Sequence, residues 1–294
     1  MLIAFIGSVF SPYYAWARQR GGVAAVPAER HVALNLALVP LSRGAGRAAW
    51  TMTERGIGAL DRGADWLAIG PSTLRWFGDG LQIDLDEWGL PWPWPSRVRG
   101  RIRLWPRALG GLPPQPLSPD GQHRWWPIAP RARVELALDS PGLRWSGEGY
   151  LDSNRGPGPL AEAFHRWQWA RAAVGEDEAA VWYEAWPRGE AGPGSGGARL
   201  ALRFDRQGRG EAFEPPPIAA LPGTGWGLPR SLPGALAAGG RVLTLQDAPF
   251  YARSLVPARW GGRAVRAMHE QLGLDRLDTA WVRAMLPFRM PRRG

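Results

Sequence analysis

Two short segments carry the residue types that proton-transfer chemistry needs. HRWW at 123–126 sets a histidine and a tryptophan two residues apart, and GYLD at 149–152 does the same with a tyrosine and an aspartate. In an extended strand, residues two apart share a face. His123 and Trp125 are therefore expected to point one way together, as are Tyr150 and Asp152. If both faces look into one cavity, an imidazole, an indole, a phenol and a carboxyl meet, with an acid and a base among them. A plainer reading also fits. Tyr and Trp on strands commonly pack the core, and an Asp followed by Ser and Asn is a common turn residue. Spacing alone leaves both open.

The elements that must position these groups are strands. Period-two alternation marks 31–39, 48–56, 80–88, 98–105, 131–139 and 198–205. It continues through 179–186, 241–247, 249–256, 264–272 and WVRAMLPFRM at 281–290, with a short helix as the alternative at 264–272. PLAEAF (159–164) reads as a helix leading into a strand, HRWQWARA. LRWFGDG (74–80) and LRWSGEG (143–149) echo one another as strand, glycine turn, strand. Aligned on that echo, Asp152 falls opposite Ile83, with Asp84 one residue out of phase and so on the other face. Asp152 is thus not a repeated structural acid. Proline- and glycine-rich stretches at 106–121, 187–197 and 214–235 read as loops. The class expected is all-β, two barrel-like or sandwich-like domains in tandem, 1–157 and 158–294, divided inside RGPGP.

Composition narrows the chemistry. The chain has 294 residues, no cysteine and four scattered histidines, at 31, 123, 165 and 269, so neither a disulfide framework nor a metal site is expected. No HExxH, dinucleotide-binding glycine motif or phosphate-binding loop occurs. The apolar opening MLIAFIGSVF is short and lacks a preceding basic segment, which reads as neither signal peptide nor membrane span. A cytoplasmic protein is the expectation. The net charge of +10, carried by arginine with no lysine, calls for an anionic partner. The densest candidate surface is 87–107, where Arg97, Arg99, Arg101 and Arg103 line one strand face near Trp92 and Trp94. It reads as a solvated face or as a docking site for an anionic membrane; no nucleic-acid module is recognisable.

FIGSVFSPYYAWAR (5–18), HVALNLAL (31–38), WTMTERG (50–56), HRWWPIAPRARVEL (123–136), GYLDSNRG (149–156), DAPFYARS (247–254) and LPFRMPRR (286–293) together resemble the carotenoid 1,2-hydratase family, also called hydroxyneurosporene synthase. The blocks run in order from the first ten residues to the last ten, and 175–235 is the least similar part. The chain starts at the first block, without the longer leader of some relatives, which is expected to be dispensable for the chemistry. The resemblance implies paired lipocalin-like domains and cofactor-independent addition of water to the terminal double bond of an acyclic carotenoid such as neurosporene or lycopene. It also implies peripheral association with the inner or photosynthetic membrane. It places catalysis on an H-x-W pair and a Y-x-D pair, here His123, Trp125, Tyr150 and Asp152.

These residue types suit that reaction. Protonation of carbon 2 leaves a tertiary cation at carbon 1, which water captures. The donor must keep its proton near neutral pH, and burial in an apolar pocket raises an aspartate's pKa. Asp152 is the expected general acid. Trp125 and Tyr150 are expected to stabilise the cation through their ring faces. His123 either activates the water or tunes Asp152. A lipid carrier with the same cavity and a cofactor-free terpenoid cyclase are the other readings.

Overall fold

The computed structural model describes residues 1–293 except 22–25, 42–47, 90–95, 190–197 and 237–239. Internal contacts group them into two units. Met1–Pro106, Arg133–Gly149 and Ala280–Gly294 form the first; Arg107–Ala132 and Tyr150–Thr279 form the second.

In the first unit, antiparallel strands lie in the order Leu2–Ile6, Val32–Leu38, Ala49–Arg55, Gly80–Gly89, Ser72–Phe77, Trp66–Ile69 and Leu60–Arg62. Val32–Leu38 is buried along nearly its whole length, as a strand covered on both faces must be. Arg292–Arg293 adds a short parallel pairing beside Ala49–Arg55. Ser96–Ala108 pairs with Gly80–Gly89. Its Val98, Ile102 and Leu104 turn inward, while Arg97, Arg99 and Arg101 stay exposed.

The second unit holds a seven-stranded antiparallel sheet, ordered Gly210–Ala212, Ala198–Phe204, Ala179–Pro187, Phe164–Ala173, Arg263–Gly273, Tyr251–Trp260 and Leu243–Asp247. One face is a core of Ala170, Ala172, Ala180, Trp182, Val256, Ala258, Trp260 and Ala267. The small alanines leave room for two indoles. By strand alternation, the opposite face presents Trp167, Trp169, Arg171, Tyr183 and Glu270, in register across three strands.

The all-β class and the period-two strands agree with expectation, and the 264–272 stretch is a strand, Arg263–Gly273. Four details differ. The stretches 106–121 and 214–235, expected as loops, carry short strands, Gln115–Pro116 in the first and the pair Ile218–Ala220 with Ser231–Pro233 in the second. Among the described residues neither sheet closes into a barrel. The LRWSGEG segment has no turn at Gly147, because Leu143–Arg155 runs through it as one strand. WVRAMLPFRM is helical, Ala280–Arg289. Val282, Leu286 and Met290 are its buried residues, and their spacing of four outweighs the apparent alternation. No helix of the described residues is long and apolar enough to cross a membrane.

Candidate active site

Trp125 enters on the strand Arg124–Ser140, where burial alternates: His123 and Trp125 are inside, Arg124 and Trp126 outside. Tyr150 and Asp152 come from Leu143–Arg155. The Trp125 indole Nε1–H donates to Asp152 Oδ2 at 2.8 Å, and the Tyr150 hydroxyl donates to the same oxygen at 3.0 Å. With Oδ2 serving as a double acceptor, the acid proton belongs on Oδ1. Loss of water pushes the Asp152 pKa from its ordinary 3.8 up to about 6, against the lowering effect of the Trp125 and Tyr150 bonds. The charge of Glu270 adds to the rise.

The seven-stranded sheet supplies walls that the two motifs do not contain. Trp125 lies 5.8 Å from Tyr183 between ring centroids, Tyr150 lies 5.3 Å from Trp169, and Tyr183 lies 5.7 Å from Trp167. Arg171 sits over the Tyr150 ring at 5.5 Å, with its guanidinium held by the Pro130 carbonyl at 2.9 and 3.0 Å. On one rung of the sheet Trp169 stands between Tyr183 and Glu270. Glu270 Oε1 accepts two bonds from Arg253, at 2.8 and 3.0 Å, and Arg253 is itself buried. Burial, then the Asp152 charge, raises the Tyr150 and Tyr183 hydroxyls well above the ordinary phenol range, so both remain neutral donors. Tyr183 donates to Asn154 Oδ1 at 3.4 Å. The indole N–H groups of Trp167 and Trp169 are buried and have no partner among the described residues.

His123 is buried, but no hydrogen bond among the described residues links it to Asp152. Its ring meets Phe164 edge-on at 5.2 Å. Gly156 makes this seat possible, since a Cβ there would lie 2.1 Å from His123 Nδ1. Burial lowers the imidazole pKa, with Asp120 opposing the effect, so the ring is neutral at pH 7. The structure thus joins Trp125, Tyr150 and Asp152 directly and sets His123 beside Phe164. Among the described residues no group of three His, Asp or Glu could hold a metal.

The arginine row of Ser96–Ala108 lies in the first unit, with partners. Arg97 clasps Asp86 through Nε and Nη2 at 2.7 and 2.6 Å, Arg101 reaches Asp84 at 2.7 Å, and Arg103 reaches Gln82 at 3.2 Å. A groove of about 640 Å³ runs along it, where Arg99, Arg101, Arg103 and Arg144 face Asp84, Asp86, Glu135 and Asp139. Formal charge there cancels. Trp92 and Trp94 lie outside the described residues.

The electrostatics of Asp152 give a paired test. Glu270→Gln removes a charge that favours protonated Asp152 and leaves Arg253 unneutralised, so the titration of the Asp152 carboxyl, followed by NMR, moves to lower pH. Trp125→Phe removes a donor that favours the carboxylate, so the same titration moves to higher pH. Displacement of both variants in the same direction would show that these contacts do not set the acidity.

A family model described as carotenoid hydratase CrtC matches residues 2–294. The chain is 48% identical over 295 residues to an acyclic carotenoid 1,2-hydratase of Thiocapsa roseopersicina, covering 100% of this chain and 69% of that one. It is 38% identical over 297 residues to the protein of the same description from Rhodobacter capsulatus, covering 100% and 98%. Among solved structures it is similar to a Nitrosomonas europaea protein described as an AttH candidate, with TM-score 0.53 and 14% identity over 83% of this chain and 80% of that one. That likeness concerns the fold alone. With the family model spanning nearly every residue and the relatives aligned from end to end of the chain, the protein belongs to the carotenoid hydratase CrtC family.

Proposed function

We propose that the protein is a carotenoid 1,2-hydratase, a hydro-lyase that adds water across the terminal 1,2 double bond of an acyclic carotenoid to give a tertiary 1-hydroxy product. Membership of a family whose curated relatives bear that description supports the reaction. The observation that carries the chemistry is Asp152, a carboxyl with a pKa near 6 inside an aromatic wall, with both bonded donors on one oxygen.

The Oδ1 proton passes to carbon 2, and the electron pair of the double bond forms the new C–H bond. Carbon 1 becomes a tertiary cation and Asp152 a carboxylate whose Oδ2 already holds two hydrogen bonds. The faces of Trp125, Tyr150 and Tyr183 stabilise the cation, by ~2 kcal/mol or more for a desolvated ring. None of the three offers an ionised nucleophile to trap it. Water attacks carbon 1, and the oxonium proton leaves to neutral His123 or returns to Asp152. Every atom comes from alkene, water and side chains, so the scheme needs no cofactor.

The substrate is a hydrocarbon polyene that resides in a bilayer, which makes peripheral association with an anionic membrane part of this reading. Arg97, Arg99, Arg101 and Arg103, with Trp92 and Trp94, are its first candidate contacts.

Purified protein with EDTA and detergent-dispersed lycopene or neurosporene is expected to yield the 1-hydroxy carotenoid. Bound pigment without product would mark a carrier instead, and an oxygen-free cyclised product a terpenoid cyclase.

A further inference from the structure

Hydration needs a placed water as well as an acid, and one rung of the seven-stranded sheet carries the groups for it. Trp169 has Tyr183 as its cross-strand neighbour on one side and Glu270 on the other. Directly opposed residues of antiparallel strands start about 5 Å apart. The Trp169 ring also lies 5.3 Å from that of Tyr150, whose hydroxyl bonds Asp152. The charge of Glu270 acts on Asp152, and the charges of both act on the Tyr183 hydroxyl. All of these residues belong to the second unit.

The Trp169 Nε1–H is buried and has no partner among the described residues. A buried donor left unpaired is costly. The end of an acyclic carotenoid contains only carbon and hydrogen there, so the alkene cannot accept that bond. Water is the one reactant that can. Glu270 supplies the complementary acceptor. Its Oε1 takes two bonds from Arg253, and the Tyr251 hydroxyl bonds the same carboxylate. Arg253 Nη2 in turn donates to the Tyr251 oxygen at 2.5 Å, which fixes the group. A carboxylate offers about four acceptor positions, so one stays open. Trp167 also has a buried, unpartnered N–H, but its cross-strand neighbours are Ala185 and Leu272, which carry no side-chain acceptor.

We propose that Trp169 and Glu270 hold the attacking water, the indole N–H donating to its oxygen and the carboxylate accepting one of its protons. The second lone pair of that oxygen is then free to form the bond to carbon 1. The proposal rests on the hydratase reading and adds to it the groups that place the nucleophile.

The fate of the cation tests it. In deuterium oxide Asp152 delivers deuterium to carbon 2. The cation then either gains water or loses a proton, from carbon 2 or an adjoining methyl group to the Asp152 carboxylate, and returns to a labelled alkene. With detergent-dispersed lycopene, wild type is expected to give mainly the 1-hydroxy product. Trp169→Phe keeps a ring against Tyr150 and removes the donor. Its ratio of alcohol to deuterated alkene is expected to fall roughly ten-fold or more, while total deuterium entering carbon 2 falls less. Glu270→Gln is expected to shift the ratio the same way, and decides alone if Trp169→Phe does not fold. A purely structural role would lower both products together, so a wild-type ratio in the variants overturns the proposal. So does a larger shift from Trp167→Phe, which would give the water to that indole. In both cases wild type still makes alcohol. Absence of alcohol from wild type would instead overturn the hydratase reading, and the water site with it.

Discussion

Asp152→Asn is expected to lower hydration by roughly a thousandfold or more while making the protein more stable above pH 6. The amide matches the carboxyl in size, and its oxygen can still accept from Trp125 and Tyr150. What it lacks is a proton acidic enough to protonate an unactivated alkene. The stability half follows from linkage. The folded pKa of about 6 lies above the ordinary 3.8, so the contribution of this group is fully present below pH 3.8 and is lost as pH rises through 6. The difference between those values is worth ~3 kcal/mol once Asp152 is ionised. A neutral amide avoids that cost. Thermal melts at pH 8 should therefore place the variant above wild type, and melts at pH 4 should nearly coincide. A variant that loses activity and stability together at both pH values would indicate a structural aspartate instead.

The second large effect is the pH dependence of wild-type kcat/KM, which is expected to fall tenfold per pH unit above about pH 6. At pH 7 only about a tenth of the free enzyme then carries the proton. His123 has a lowered pKa, so the acid-side loss expected from protonating a base begins below the ordinary histidine range. A bound polyene displaces water from the carboxyl, and the limb of kcat should lie at higher pH than that of kcat/KM. A profile flat to pH 9 would mean that no group of this acidity limits the reaction.

The parts of this site that the sequence makes legible are local. Tyr150 and Asp152 share a strand face through simple alternation, and Trp125 needs only an inward direction to reach them. The aromatic wall is not local. Tyr183, Trp169 and Glu270 become neighbours through antiparallel pairings among three strands, and no spacing within one segment reports that register. The alternation in HRWQWARA does put Trp167, Trp169 and Arg171 on one face, the one available sign of a second wall. His123 shows the reverse case, where correct inward direction led to Phe164 and Gly156, not to a hydrogen bond with the acid. The arginine row looked like free charge for a similar reason, since Asp84 and Asp86 face it only once Gly80–Gly89 is paired alongside. In 281–290, alternation and four-residue spacing coexist, and burial of Val282, Leu286 and Met290 decided for the helix.

The most direct measurement is conversion of lycopene in deuterium oxide enriched in oxygen-18, by wild type and by Asp152→Asn of verified fold. Proton delivery by Asp152 predicts wild-type product with deuterium on carbon 2 and oxygen-18 on carbon 1, and essentially none from the variant. Doubly labelled alcohol from the variant at the wild-type rate would contradict it and place the acid elsewhere.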